Sequence, residues 1–188
     1  MLSDELGVLV DKLNDLGHPV VQWFVPGSSP SRVEEFLGSG VPEEVVAWFG
    51  WCDGIEFHPG QTMDDIKIIP GYFPISLEEA VGVRDTVEEI IGNADEDDAN
   101  YSVLGEHWIP ILDDGGGGSY AAVWGPGQSP SVASVLHEVP TEIEFPSLER
   151  MVAFFNECYR RGAFYVEDHG GLGMNPERCD ELHSEFFA

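Results

Sequence analysis

The sequence predicts an α+β fold, in which an antiparallel meander of about four to six strands packs against N-terminal helices and one C-terminal helix. Three observations predict this fold. Leucines recur every three or four residues near the start of the chain, which is the spacing of one helix face. Between residues 107 and 137 the pattern changes to short apolar runs separated by glycine-rich turns, as in strands. After Ser147 the apolar residues return to helical spacing.

In the first half of the chain, local signals divide the sequence into short helices and strands. Capping residues and prolines mark helix starts, glycines mark helix ends, and β-branched or aromatic runs mark strands. The predicted elements are a helix Leu2–Leu16 that ends at Gly17, a strand Val20–Phe24, a short helix opened by the capping pair Ser31 and Glu34, a helix Glu43–Trp51, strands Ile55–Phe57 and Ile66–Ile69, and a helix from Ser76 to about Ile91.

In the second half, turn-forming residues separate three predicted strands. His107–Leu112 and Ser119–Trp124 are expected to form a hairpin across the turn Asp113–Gly118. Val132–His137 follows as the third strand of the meander. Ser147 is then predicted to cap the closing helix.

The chain is expected to form one domain followed by a tail. Its length suits a single domain, and Gly162 ends the closing helix. From about Glu167 the sequence is acidic and rich in glycine, which is typical of a loosely held terminus. The predicted domain therefore covers residues 1–166, and the predicted tail covers residues 167–188.

The charge excludes one class of partner and favours another. The chain has 35 acidic and 8 basic residues, a formal net charge of −27. No Lys or Arg occurs from Asp85 to Glu149. Such a field repels the phosphates of nucleic acid, so direct nucleic-acid binding is excluded. It attracts a basic protein quickly. Solubility and adaptation to a salty cytoplasm remain equally good explanations of the charge.

The sequence carries no signal for export, membrane insertion or disulfide formation. A membrane span needs about 20 apolar residues, and runs such as Val45–Phe49 are far shorter. The acidic N-terminus lacks the positive charge of a signal peptide. Cys52, Cys158 and Cys179 include no C-x-x-C pair. We therefore expect a cytoplasmic protein without membrane contact, as a monomer or weak dimer.

No group of side chains predicts a catalytic, cofactor-binding or metal site. Asp113–Gly118 combines aspartates and glycines, but a phosphate-binding loop needs a lysine and a following helix, so a hairpin turn is favoured. Cys179, His183 and His169 lack the paired spacing of a structural zinc site. No G-x-S-x-G motif presents a nucleophilic serine. A carboxylate-dependent hydrolase stays open, because acids are abundant.

Three segments together resemble the SUKH superfamily and, within it, the cell-wall-regulator (Smi-one/Knr-four) family. Val41–Gly54 is similar to the family's Leu-Pro, helix and Asn-Gly segment, with valine and aspartate where leucine and asparagine are usual. Trp108–Tyr120 resembles its W-x-P hairpin with a glycine-rich turn, and Pro146–Val152 resembles the start of its closing helix. The resemblance covers roughly Glu35–Phe164.

The resemblance implies a protein-binding module without a catalytic centre. Many bacterial members look like immunity proteins, which bind and neutralise a cognate toxin, often a nuclease. Because a toxin that acts on nucleic acid carries a basic surface, an acidic immunity protein would cover that surface and associate fast. We therefore hypothesise a bacterial immunity protein with a basic toxin as its partner. A scaffold or regulatory protein of the cell-wall-regulator type is the alternative, as eukaryotic members are.

The family does not fix its contact residues, so the candidates are acids on predicted loops, turns and strand ends. They lie in the polar loop before the meander, in the hairpin turn and after the third strand. The candidates are Asp95, Glu96, Asp97, Asp98, Asp113, Asp114, Glu142 and Glu144. For each of them, a solvated acid without a partner is the competing interpretation, because few residues dominate an interface.

Overall fold

The structure is a computed structural model, and it describes residues 1–93, 101–136 and 139–188. The helices are α1 (Leu2–Asp15), α2 (Pro30–Leu37), α3 (Glu43–Trp51), α4 (Leu77–Asn93), α5 (Leu148–Arg160) and α6 (Pro176–Phe186), and a 3-10 helix spans Pro19–Trp23. The strands are β1 (Phe24–Pro26), β2 (Cys52–Ile55), β3 (Phe73–Pro74), β4 (Trp108–Asp113), β5 (Ser119–Val123), β6 (Ser131–Leu136), β7 (Val139–Phe145), β8 (Phe164–Val166) and β9 (Leu172–Met174). No helix in this described part of the chain is both long and apolar enough to span a bilayer.

Strands β3 to β7 form the main sheet, in which each strand pairs with the next one along the chain. All of these pairings are antiparallel, and short turns suffice to connect β4 to β7 because antiparallel neighbours reverse the chain direction. Two smaller antiparallel pairs join β1 to β2 and β8 to β9. A meander accompanied by helices confirms the predicted α+β fold.

The main sheet separates two apolar clusters. Ile109, Ala122 and Val132 belong to the main core, which also contains the buried faces of α1, α3 and α5. Trp108 and Ala133 belong to a smaller cluster on the other side of the sheet. Adjacent residues of one strand enter different clusters because successive strand side chains point to opposite faces.

Two of the predicted strands are wrong. Val20–Phe24 is mostly the 3-10 helix, because Pro19 sets a helical φ and His18 Nδ1 accepts a hydrogen bond from the Val20 N–H at 3.5 Å. Ile66–Ile69 forms no strand, although its three isoleucines are buried. The apolar run therefore predicted the burial of these residues correctly but their backbone conformation wrongly.

Other boundaries shift, and one strand is not predicted. Ser29 rather than Ser31 caps α2, since its Oγ accepts a hydrogen bond from the Arg32 N–H at 3.3 Å. Strand β2 ends at Ile55, where a strand was expected to begin. Strand β7 is not predicted because Pro140 and two glutamates obscure its alternation.

Residues 167–188 form secondary structure rather than the loosely held tail expected from their composition. Strand β9 pairs with β8, and α6 packs on α5 with Leu182 buried. Arg150 of α5 ties the two helices together, since its guanidinium lies 4.2 Å from the centre of the Phe186 ring and donates to the Phe186 carbonyl at 2.8 Å. The domain boundary at residue 166 stays a prediction.

Asp53 connects three elements through one carboxylate. Its Oδ1 accepts a hydrogen bond from the Leu77 N–H at the start of α4, at 2.7 Å. Its Oδ2 accepts one from the Ser28 hydroxyl, also at 2.7 Å. The carboxylate therefore holds β2, the start of α4 and the segment before α2 in one arrangement.

Glu44 of α3 is expected to stabilise the start of α5. Its Oε2 accepts hydrogen bonds from the N–H groups of Leu148 at 2.8 Å and Glu149 at 3.3 Å. A carboxylate at a helix N-terminus satisfies free donors and favours the helix dipole. Glu44→Ala should therefore lower the free energy of unfolding by about 1–2 kcal/mol, measured by urea denaturation. Glu43→Ala removes an exposed acid of the same helix turn and is the matched control. Equal losses for both variants would contradict this role.

Candidate partner-binding groove

A groove of about 250 Å³ lies where the main sheet meets the C-terminal segment, and we call it the acidic groove. Its polar residues are Tyr72 from the loop before β3, Tyr120 from β5, Glu144 from β7, and Cys179 and Asp180 from α6. The rest of its lining is mainly apolar, with the phenylalanines Phe145, Phe154, Phe155 and Phe164. Among the residues that the structure describes, no Lys or Arg lines it.

Glu144 is a half-buried carboxylate in the acidic groove. It is the extra residue where β7 shifts its pairing with β6, between the paired Ile143 and Phe145. A bulge of this kind redirects a side chain. Glu144 Oε1 accepts a hydrogen bond from the Tyr120 hydroxyl at 3.3 Å. Burial raises the pKa of Glu144, because the charged form loses hydration, and this hydrogen bond and the nearby His183 oppose the rise.

Two tyrosines form an aromatic pair in the acidic groove. The ring centres of Tyr72 and Tyr120 lie 4.7 Å apart, with the rings tilted. Burial raises the pKa of both phenols, and the carboxylates of Asp114, Glu144 and Asp113 raise the pKa of Tyr72 further. Three of the predicted contact residues therefore lie close enough to Tyr72 to act on its ionisation.

Asp113 and Asp114 also build the turn between β4 and β5. Asp113 Oδ1 accepts a hydrogen bond from the Gly115 N–H at 2.6 Å. Asp114 Oδ1 accepts from the N–H groups of Gly116 at 2.6 Å and Gly118 at 2.9 Å. Burial raises the pKa of Asp113, and the neighbouring Asp114 adds to that rise. The glycine N–H groups that a phosphate would need already bind these carboxylates, so the loop is a hairpin turn.

Of the predicted contacts that the structure describes, Glu144 lines the acidic groove, whereas Asp113, Asp114 and Glu142 do not. Glu142 is exposed on β7 and lines a neighbouring shallow groove together with Glu144 and His183. Within the described ranges Glu142 has neither a hydrogen bond nor an ion pair through its side chain. The acids of the polar loop lie outside the described residues: Asp95, Glu96, Asp97 and Asp98. The structure therefore places Asp113, Asp114 and Glu144 near Tyr72, and it places Glu142 beside Glu144 in the neighbouring groove.

The three residues considered for zinc are not brought together. The Cys158 thiol of α5 lowers the pKa of Cys179, and His183 packs edge-on against the Phe154 ring with the ring centres 5.4 Å apart. His169 is exposed in the turn between β8 and β9. In the described part of the chain, no group of three or more His, Cys, Asp or Glu side chains is arranged to hold a metal ion.

The sequence reasoning missed Tyr72, Cys179 and Asp180 as residues of the groove. Tyr72 lies in a Pro-Gly-Tyr-Phe-Pro turn without periodicity, so nothing in the sequence places it opposite Tyr120. A signal for α6 was present, since Pro176 follows an asparagine that caps the helix. Recognising this helix start would have predicted that Asp180 lies on a helix.

Most basic side chains of the chain are paired with acids outside the acidic groove. Strands β4 to β7 lie within a span from residue 85 to residue 149 that contains no Lys or Arg. Of the eight basic side chains in the chain, five form ion pairs with acids elsewhere. They are Arg32, Lys67, Arg84, Arg160 and Arg161.

The comparisons with known proteins agree with the motifs. The model of the SMI1 / KNR4 family (SUKH-1) matches residues 29–153. That range contains all five strands of the main sheet and therefore Tyr72, Tyr120 and Glu144, but it ends before β8, β9 and α6. No curated protein matches the chain at a significant level. One side of the acidic groove thus belongs to the matched range, and the side with Cys179 and Asp180 lies outside it.

Proposed function

The chain belongs to the SMI1/KNR4 family (SUKH-1), and from that premise we propose that it is a non-enzymatic protein whose role is to bind a basic protein. More specifically, we propose an immunity protein that binds and neutralises a toxin with a basic surface, a nuclease being the class that fits best. It acts in the cytoplasm as a monomer or weak dimer.

The observation that supports this proposal is the uncompensated acidity around the groove. Glu144, Asp113 and Asp114 converge near Tyr72, and no Lys or Arg of the described residues lines the groove. Acids that lack internal cations are available to a cationic partner. The net charge of −27 adds a long-range field that speeds the encounter with a basic protein.

A hydrolase fits the same groove less well. Glu144 has a raised pKa, and Asp180 is an exposed second carboxylate, so the two resemble an acid and base pair. However, the volume of about 250 Å³ lies below the roughly 300–1,000 Å³ of typical small-molecule sites. Asp113 and Asp114 are committed to the turn. A binding role uses Glu144 and Asp180 without requiring a substrate cavity, and Asp113 and Asp114 add negative charge nearby while they keep their hydrogen bonds in the turn.

The partner's identity separates an immunity protein from a scaffold. Affinity capture from the native lysate should recover a basic protein at low salt and lose it at high salt, because exposed charges are screened. A toxin would support the immunity role, whereas a basic housekeeping protein would favour the cell-wall-regulator type of scaffold. Recovery of no basic protein at low salt would count against both.

Reversing the exposed charge next to the groove should slow binding of the captured partner. Glu142→Lys is expected to lower the association rate constant about tenfold at low salt, and much less at high salt. Asp11→Lys changes the net charge equally at an exposed position of α1 that lines neither groove, and it should change the rate by less than about twofold. Stopped-flow mixing measures both rates. Equal effects of the two reversals would place the interface elsewhere.

A further inference from the structure

We propose that the acidic groove receives one arginine side chain of the protein partner, with its guanidinium against Glu144 and Asp180 and its stem along Tyr72 and Tyr120. The inference rests on the proposed function, because it names a contact within the same binding event. It goes beyond that function by assigning a pocket, a ligand group and the residues that recognise it.

The size of the acidic groove suits one side chain. Its volume of about 250 Å³ is too small for most cofactors and drug-sized ligands, whose sites measure roughly 300–1,000 Å³. Its lining combines aromatic rings with a few polar groups, and an arginine likewise combines an apolar stem with a charged head. A single long, cationic side chain therefore matches both the volume and the surface chemistry.

The carboxylate inside the groove lacks a cation. Glu144 is half-buried, and within the described ranges its side chain has one hydrogen bond, from the Tyr120 hydroxyl at 3.3 Å. His183 lies near Glu144, Asp180 lines the same groove, and Asp113 and Asp114 lie near the neighbouring Tyr72. A partly desolvated carboxylate gains most from a cation that also donates hydrogen bonds. A guanidinium entering the groove would supply both.

The tyrosine pair favours arginine over lysine. A planar guanidinium stacks on aromatic rings and donates two parallel hydrogen bonds to a carboxylate, whereas an ammonium acts as a point charge. The chain already places one guanidinium over aromatic rings, because Arg150 lies 4.2 Å from the Phe186 ring centre and 5.3 Å from the Phe187 ring centre. The acidic groove offers Tyr72 and Tyr120 in the same role to an arginine from outside.

The two sides of the groove differ in origin. Tyr72, Tyr120 and Glu144 lie inside the range that the family model matches, and Asp180 lies on α6 outside it. Helix α6 therefore completes the pocket on a frame that the family provides. This arrangement makes the C-terminal segment a determinant of which basic partner the protein accepts.

The test is a nuclear magnetic resonance titration of the full chain with a blocked peptide, acetyl-Gly-Ser-Arg-Ser-Gly-amide. Two matched peptides carry lysine or the neutral isostere citrulline in place of arginine. We expect the arginine peptide to bind more tightly than the lysine peptide and to shift the amide signals of Tyr120 and Phe145. The citrulline peptide should bind about tenfold more weakly or not at all. Equal binding of arginine and citrulline peptides would overturn the proposal.

The matched protein variants separate the pocket from general charge. Glu144→Gln and Glu142→Gln each remove one negative charge from β7, two residues apart. Glu144→Gln should weaken the arginine peptide about tenfold, whereas Glu142→Gln should leave its affinity within about twofold of the unmodified chain. Equal effects would show that only the net charge matters and would overturn the pocket. If Glu144→Gln does not fold, Asp180→Asn is compared with Asp168→Asn in the same titration.

Failure of the pocket and failure of the proposed function give different results. A basic partner that is captured and binds equally well to Glu144→Gln and Glu142→Gln sustains the function and overturns the arginine pocket. Selective binding of the arginine peptide with no basic partner in the lysate sustains the pocket and counts against the immunity and scaffold roles.

Discussion

Replacing Phe145 with alanine is expected to lower the free energy of unfolding by about 3–5 kcal/mol, measured by urea or thermal denaturation. The side chain is 1 % exposed at the end of β7. Its ring meets five others with centre distances of 5.7 to 6.2 Å, namely those of Tyr120, Phe154, Phe155, His183 and Phe187. These neighbours come from β5, α5 and the C-terminal segment, so a cavity here loosens three parts of the molecule at once.

Phe57→Ala is the matched control for this substitution. Phe57 is 60 % exposed, so removing its ring should change the stability by less than about 0.5 kcal/mol. If Phe145→Ala were as mild as Phe57→Ala, the packing of the C-terminal segment against β7 would be wrong. The groove would then lose its side formed by α6.

Helix starts and the meander could be predicted from the sequence because their signals are local. Ser76 and Glu79 form a capping box at the predicted start of α4, with the Ser76 N–H donating to Glu79 Oε2 at 2.9 Å and the Glu79 N–H donating to Ser76 Oγ at 3.2 Å. Ser147 caps α5 through the Arg150 N–H at 3.1 Å. Helix α3 spans the predicted Glu43–Trp51. Each of these features depends on residues within one helical turn or one hairpin.

The acidic groove could be predicted only in part, because it depends on contacts between distant segments. Acid content identified Glu144 as a candidate, but its half-buried position depends on the bulge in β7 and on the hydroxyl of Tyr120. Tyr72 enters through a turn without periodicity, and Asp180 enters through a helix that composition alone described as a tail. Side chains that meet across more than 20 residues carry no common local pattern.

Replacing Gly54 with alanine is expected to lower the free energy of unfolding by about 2–5 kcal/mol, because two separate effects add. Gly54 has a φ of +88°, a left-handed conformation that disfavours any residue with a Cβ atom by about 1–2 kcal/mol. A Cβ atom would also lie 2.7 Å from the Ser76 backbone nitrogen, which is closer than real Cβ contacts allow. That clash adds about 1–3 kcal/mol of overpacking. Urea denaturation measures the total.

Gly60→Ala separates these two effects. Gly60 has a φ of +96°, but an added Cβ atom would meet nothing within 4 Å, so only the conformational penalty of about 1–2 kcal/mol applies. The difference between the two losses of unfolding free energy then measures the cost of disturbing the close contact between β2 and the start of α4. Asp53 reinforces this contact by accepting a hydrogen bond from the Leu77 N–H at 2.7 Å. Equal losses would mean that Ser76 moves away at no cost and that Asp53 does not fix this junction. A larger loss for Gly54→Ala would show that the glycine at this position of the family motif is required for the packing of β2 against the start of α4.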